Sequence, residues 1–205
     1  MLDLMRPMTA ARAAGFALVE TMVTVVVVAF GLLGVAGLVS RSFVTEVEAT
    51  QRTQAVMLLQ DMVTRIEANR GNAAAYVTGD TGTTGYVTTE TAGVTATATE
   101  VCNPAAALAD RDRCEWGRLL AGANEQIDTR NAGVLVGAIG CVYEIDAFNR
   151  IYAVSIAWQG MNAGAAPLVD NNFAPNGCGR DRFGNENQRR VMTMPLRIAV
   201  LNAAP

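Results

Sequence analysis

The sequence predicts an α+β fold in which one long N-terminal helix, apolar in its first half and amphipathic in its second, lies on a small antiparallel sheet. Three observations predict it. Residues 16–39 form an apolar run carrying a single charge, Glu20. No proline falls between residues 16 and 69, so nothing covalent interrupts a helix there. Segments in the C-terminal third alternate large and small side chains with the period of two expected of a half-buried strand.

The apolar run comes first. Its 24 residues span ~36 Å as a helix, enough to cross a hydrocarbon core of about 30 Å. A cleavable secretory signal fits poorly, because the run exceeds the usual apolar core and its small-residue triplet, Ala13 to Gly15, precedes the run. Arg6 and Arg12 place the short head on the cytoplasmic side, with Arg41 opposing, so the bulk of the chain is expected outside. Glu20 has two readings on physical grounds: a charge reaching the membrane edge, or a carboxylate awaiting a positive partner from another chain. Gly31, Gly34 and Gly37 mark either a close helix–helix approach or the ordinary tolerance of membrane helices for glycine.

From residue 40 the pattern becomes periodic. Phe43, Val47, Ala55, Leu58, Met62 and Ile66 recur at helical spacing, and Gly71 is placed to cap the helix end. The Thr-rich stretch 77–101 reads as an unmodified surface loop, with O-linked sugars as the alternative. A helix is expected within Pro104 to Leu120, burying Leu108, Trp116, Leu119 and Leu120. Strands are expected at Val134 to Ile145, at Tyr152 to Trp158 and at Met192 to Val200. A turn at Asp146 to Asn149 joins the first two, and Pro195 argues for an edge position of the last. Residues 159–190 read as a loop, and Arg180, Arg182, Arg189 and Arg190, beside Asp181 and Glu186, read as a solvated basic face. Both tryptophans, Trp116 and Trp158, read as core.

Composition narrows the function. The 205 residues contain no histidine, which removes the commonest general base and metal ligand. No CxxC pair suggests a metal, and a net charge of −3 provides no field for nucleic acid. No catalysis, metal or cofactor is therefore expected. Cys102, Cys114, Cys141 and Cys178 all follow the apolar run, where an even count in an exported region favours disulfides. Three pairings are possible. Sequential pairing, Cys102 with Cys114 and Cys141 with Cys178, keeps each loop within one local unit and would contribute roughly 3 and 4 kcal/mol.

The stretch AAG-FALVE-TMVTVVVVAFGLLGVAGL resembles the class III signal of type IV prepilins. The resemblance implies that a prepilin peptidase cuts after Gly15 and methylates the new N-terminus at Phe16. It makes Glu20 the fifth mature residue, pairing with a neighbouring subunit's amine to set register. Ala17 stands where such proteins commonly carry threonine or serine. The AFGLLGVAGL segment, CEWGRLLAG at 114–122, YAVSIAWQG at 152–160 and a late CG followed by RR resemble more narrowly the minor pilins of the PilV type.

On this resemblance the fold is type IV pilin-like. Residues 1–15 are a leader, 16–39 the membrane and bundling half of the helix, 40–70 its amphipathic half, and 71–205 a periplasmic head whose C-terminal loop is clamped by a disulfide. The implied role is a minor pilin in pilus initiation or at the tip, supporting twitching motility and adhesion. It would sit in the inner membrane as a single-pass protein with a cytoplasmic N-terminus before entering the pilus. The implied partners are prepilin peptidase, other minor pilins, the major pilin, the inner-membrane assembly platform and a tip adhesin. The rival readings are a minor pseudopilin of the type II secretion system and an uncleaved, singly anchored envelope protein.

Overall fold

The proline-free stretch is one helix: α1 runs Ala14–Ala68 in the computed structural model. Residues 14–79, 101–122, 126–127, 130–131, 135–167 and 177–199 are described; most of the expected leader and of the Thr-rich stretch lie outside them. The helix begins at Ala14, so Ala14 and Gly15, expected to end a leader, are already helical. After it come a 3-10 segment at Arg70–Tyr76, α2 at Leu108–Leu120, a two-residue hairpin ladder of β1 (Gln126–Ile127) and β2 (Arg130–Asn131), then β3 (Val136–Asp146) and β4 (Ile151–Gln159). A short 3-10 turn at Glu186–Gln188 leads into β5 (Arg189–Arg197). The expected α+β class is borne out, with a long helix and a three-stranded antiparallel sheet in the order β3-β4-β5. The β1–β2 ladder was not foreseen; two-residue strands are too short to show a period.

The chain divides into two compact units, Met1–Glu46 and Val47–Pro205. The amphipathic half of α1 therefore joins the head only from Val47, later than the change of composition at residue 40. In the second unit, the face of α1 that meets the core carries Gln51, Ala55, Leu59, Met62 and Ile66, each 2% exposed or less. Their spacing of four, four, three and four keeps them on one stripe. Leu58, expected in the stripe, is only partly buried beside it. Gln51 is the polar surprise: its amide oxygen accepts the indole N–H of Trp158 at 3.2 Å, so two buried polar groups cancel.

At the end of α1, Asn69 N–H is shared between the carbonyls of Arg65 and Ile66, tightening the last turn into the 3-10 segment. Gly71 lies inside that segment at no positive φ, so it is not the expected left-handed cap. The 3-10 segment brings Tyr76 into the core. Tyr76 donates from its hydroxyl to Asp112 of α2, and Arg65 binds Asp61, Asp112 and Glu115 at 2.9, 3.2 and 2.7 Å. Burial opposes the charge of Arg65, but the hydrogen bonds of Glu115 and Asp61 outweigh it and hold its pKa above the ordinary value. Burial, then the bond to Asp112, pushes Tyr76 up to about 12.

α2 covers one end of the sheet. Trp116 and Leu120 are buried, as expected, whereas Leu108 is 43% exposed and Leu119 half-buried. Trp116 donates its indole N–H to the carbonyl of Leu58 at 2.9 Å, and the Cη2 and Cζ3 atoms of its ring pack on Gly140 of β3. A Cβ built there would stand 2.2 Å from the ring, so only glycine admits the tryptophan. Thr78 closes part of the outer edge of β3, its hydroxyl accepting Val142 N–H at 2.8 Å while its own N–H donates back to Val142 O.

The strands were expected to bury one face. β4 buries both: Tyr152 through Trp158 are all buried. Tyr152, Val154, Ile156 and Trp158 join the helix-side core, while Ala157 joins Ile139, Cys141, Tyr143 and Cys178 on the opposite side. The cover there is the loop from residue 177. Cys141 and Cys178 are disulfide-bonded at a Cα separation of 5.9 Å, as are Cys102 and Cys114 at 5.7 Å. The basic face is corrected here. Arg189 is 1% exposed, bound to Glu186 at 2.6 Å and to Cys178 O at 3.0 Å. Arg190 lies against Gly160 and Gly164 and pairs with Glu48 at 3.6 Å. Only Arg180 and Arg182 are exposed. Burial raises the Glu186 carboxyl, but Arg189 and the N–H of Asp181 outweigh it and leave its pKa lowered.

Gly140→Ala must displace the Trp116 ring, and a loss of about 3 kcal/mol is expected in denaturant unfolding of the full chain in detergent. Tyr76→Phe is expected to cost about 2 kcal/mol at neutral pH by leaving Asp112 Oδ2 without its donor. Because the folded-state pKa of Tyr76 is raised, its contribution is complete below its ordinary pKa of about 10 and is lost as pH rises through about 12. The melting curves of wild type and variant should therefore converge over that interval; a constant gap from pH 7 to 12 would contradict this account.

Candidate site on the apolar half-helix

From Ala17 to Ser40 every described side chain of α1 is exposed. Fourteen large apolar side chains between Leu18 and Val39 stand 51% to 71% exposed. Keeping them in water would forgo on the order of 20–40 kcal/mol of transfer free energy, so water is not where this surface resides. The helix is long and apolar enough to cross a membrane. Phe43, expected in the buried stripe, is 63% exposed and extends the apolar surface past Val39.

Polar groups in this half are few. The hydroxyl of Thr21 donates to Leu18 O and that of Thr24 to Thr21 O, both at 2.9 Å, which allows a hydroxyl to enter an apolar medium within its own helix. Glu20 has no such recourse. It is exposed and has no hydrogen-bond or ion-pair partner among the described residues. A carboxylate cannot accept from helical N–H groups already used along the ladder, so its partner must come from outside the helix.

Gly15 and Phe16 lie in the first turn of α1, within one and a half turns of Glu20. The structure therefore brings these three sequence-predicted positions onto one short helical stretch, remote in sequence from the four cysteines, which brace the head. At Gly31, Gly34 and Gly37 an added Cβ would meet nothing within 4 Å, so no contact inside the chain requires them. The two threonine back-bonds escaped the sequence reading; their signal is a hydroxyl three residues after a carbonyl in an unbroken helix. No group of residues that could hold a metal occurs among the described residues.

Residues 37–114 match the family described as Type IV pilin Tt1218. The match begins in the last turns of the apolar half, takes in the buried stripe of α1 and ends within α2; it stops short of Gly15, Phe16 and Glu20 on one side and of the sheet on the other. It supports the type IV pilin superfamily. Neither the curated proteins nor the solved structures include a match to this chain.

Glu20 lies in the first compact unit and has no partner among the described residues, so Glu20→Ala should leave the thermal unfolding of the head within about 0.5 kcal/mol of wild type. A larger shift in the detergent-solubilised full chain would mean that Glu20 braces its own fold.

Proposed function

We propose that this chain is a minor pilin: a membrane-anchored subunit, cut by prepilin peptidase before Phe16, that enters a type IV pilus and helps start or cap it, with no catalysis of its own. The observation that carries this reading is the unpartnered Glu20 on a fully exposed apolar helix, in the register of Gly15 and Phe16. Cutting there would create an N-terminal ammonium four positions before each glutamate, and a neighbouring subunit's ammonium would be the cation that Glu20 lacks. Apolar packing has no direction, whereas one ion pair between helices fixes their axial offset. The glycines at 31, 34 and 37 support the same reading, because a helix that leaves lipid for a bundle gains from close approach at small residues.

The head suits the periplasmic side. Two disulfides need an oxidising compartment, and the mixed charges that follow the span do not prevent its export. Other minor pilins, the major pilin, the inner-membrane platform and a tip adhesin would then be the neighbours, and the PilV-type motifs in α2 and β4 point to the minor class. Twitching motility and adhesion are the activities that such a subunit would support. A pseudopilin of a type II secretion system would share leader and helix, and deletion separates the two, since one loses motility and the other exoprotein secretion.

Mass spectrometry of the mature chain should find an N-methylated Phe16 as first residue, and Glu20→Ala should abolish co-assembly with other pilins while the head stays folded. A chain that still begins before Phe16 would mark an uncleaved anchor and sink the proposal.

A further inference from the structure

β5 is an edge strand whose open side can be read residue by residue. Ile198 N–H donates to Arg150 O at 3.0 Å and Gly160 N–H to Gln188 O at 2.8 Å. These bonds bracket the continuous β4–β5 register, Ile151 opposite Arg197 through Gln159 opposite Arg189. In an antiparallel pair, bonded positions recur every second residue. Arg190, Met192, Met194 and Leu196 therefore turn their backbone groups to β4, and Val191, Thr193, Pro195 and Arg197 turn theirs outward. Among the described residues, the N–H groups of Val191, Thr193 and Arg197 have no partner. Pro195 falls in the outward row, where its missing N–H weakens the open edge and not the sheet.

Sheet proteins blunt an open edge with charge, a bulge or proline. Here the register has no bulge, and the devices in the outward row are Pro195 and, beyond it, Arg197. The half from Val191 to Met194 is uncharged, and all four of its side chains are half-exposed. Beyond it stands Arg197, exposed and without an ion-pair partner among the described residues. Self-pairing is disfavoured: antiparallel copies centred on Thr193 would set Arg197 against Arg189 of the second copy and Pro195 against Val191, losing a donor each way.

We propose that this edge takes a strand from a different polypeptide, paired over Val191 and Thr193, stopped by Pro195, and carrying a carboxylate where it passes Arg197. The proposal rests on the pilin reading only for the neighbour being another subunit of the assembly.

The sequence contains no lysine, so Arg197→Lys introduces a unique side-chain amine that keeps the charge. A carbodiimide activates a carboxylate within reach, and the amine displaces the urea to leave an amide bond between the two chains. In membranes of cells assembling the full-length protein, coupling should map to an Asp or Glu of another polypeptide. Thr193→Pro should lower that yield about tenfold, the effect of about one backbone hydrogen bond, whereas Thr193→Ala should not. Pro195→Thr, which restores the outward donor and spares the β4 ladder, should raise it. Coupling only to Glu67 of the same chain, coupling to a second copy, no coupling, or a yield indifferent to Pro195→Thr would each overturn the proposal. Cleavage before Phe16 and dependence of assembly on Glu20 would survive such a failure, so the two readings fail separately.

Discussion

The head depends on one contact: the stripe of α1 from Gln51 to Ile66 pressed on the helix side of the sheet. A three-stranded sheet cannot bury an apolar face alone, and α2 is too short to cover it. The long helix supplies the missing layer. Further parts are fastened to the same helix by directional bonds: β4 through Trp158 to Gln51, α2 through Trp116 to Leu58 and through Asp112 and Glu115 to Arg65, and the 3-10 segment through Tyr76 to Asp112. Apolar burial supplies the free energy, and these bonds select one arrangement among the many that would bury as much.

The same helix bears two surfaces built for different solvents. In the second unit Gln51 and Arg65 find partners on other elements of the head. In the first, polar groups find partners within the helix, as Thr21 and Thr24 do, or find none, as Glu20 does. That contrast follows from the dielectric. A charge left alone on the head costs little beside water, but one left alone on a surface meant for lipid or for other helices does not persist without a counter-charge.

Much of this was legible in the residues because it is periodic. The unbroken helix followed from composition and the absence of proline, and the strands from alternation. The resemblance around Gly15 and Glu20 singled out positions whose geometry the helix then supplied, though their roles are functional and not visible in a single chain. What periodicity could not show was which polar residues point inward. Gln51, Thr78 and Arg189 look like surface residues in sequence, and each is buried because a partner far along the chain completes it: Trp158, Val142 and Cys178. Phe43 failed in the opposite sense. Its spacing fits the stripe, but Phe43 falls in the first compact unit and stands exposed, so periodicity found the face and overran its length. Gly71 was misread for a similar reason, since a 3-10 continuation removes the need for a left-handed cap.

The double burial of β4 bears on how the head comes into being. β4 and β5 are separated by the loop whose Cys178 covers the second face of β4, so pairing, cover and disulfide become possible only once nearly the whole chain has been made. A strand that must be dry on both sides is then the most exposed part of the chain while it waits. Under the proposed export this would impose an order on the molecule: the anchor would be seated before the head could close, and a periplasmic holdase or oxidase would have access to it in the interval.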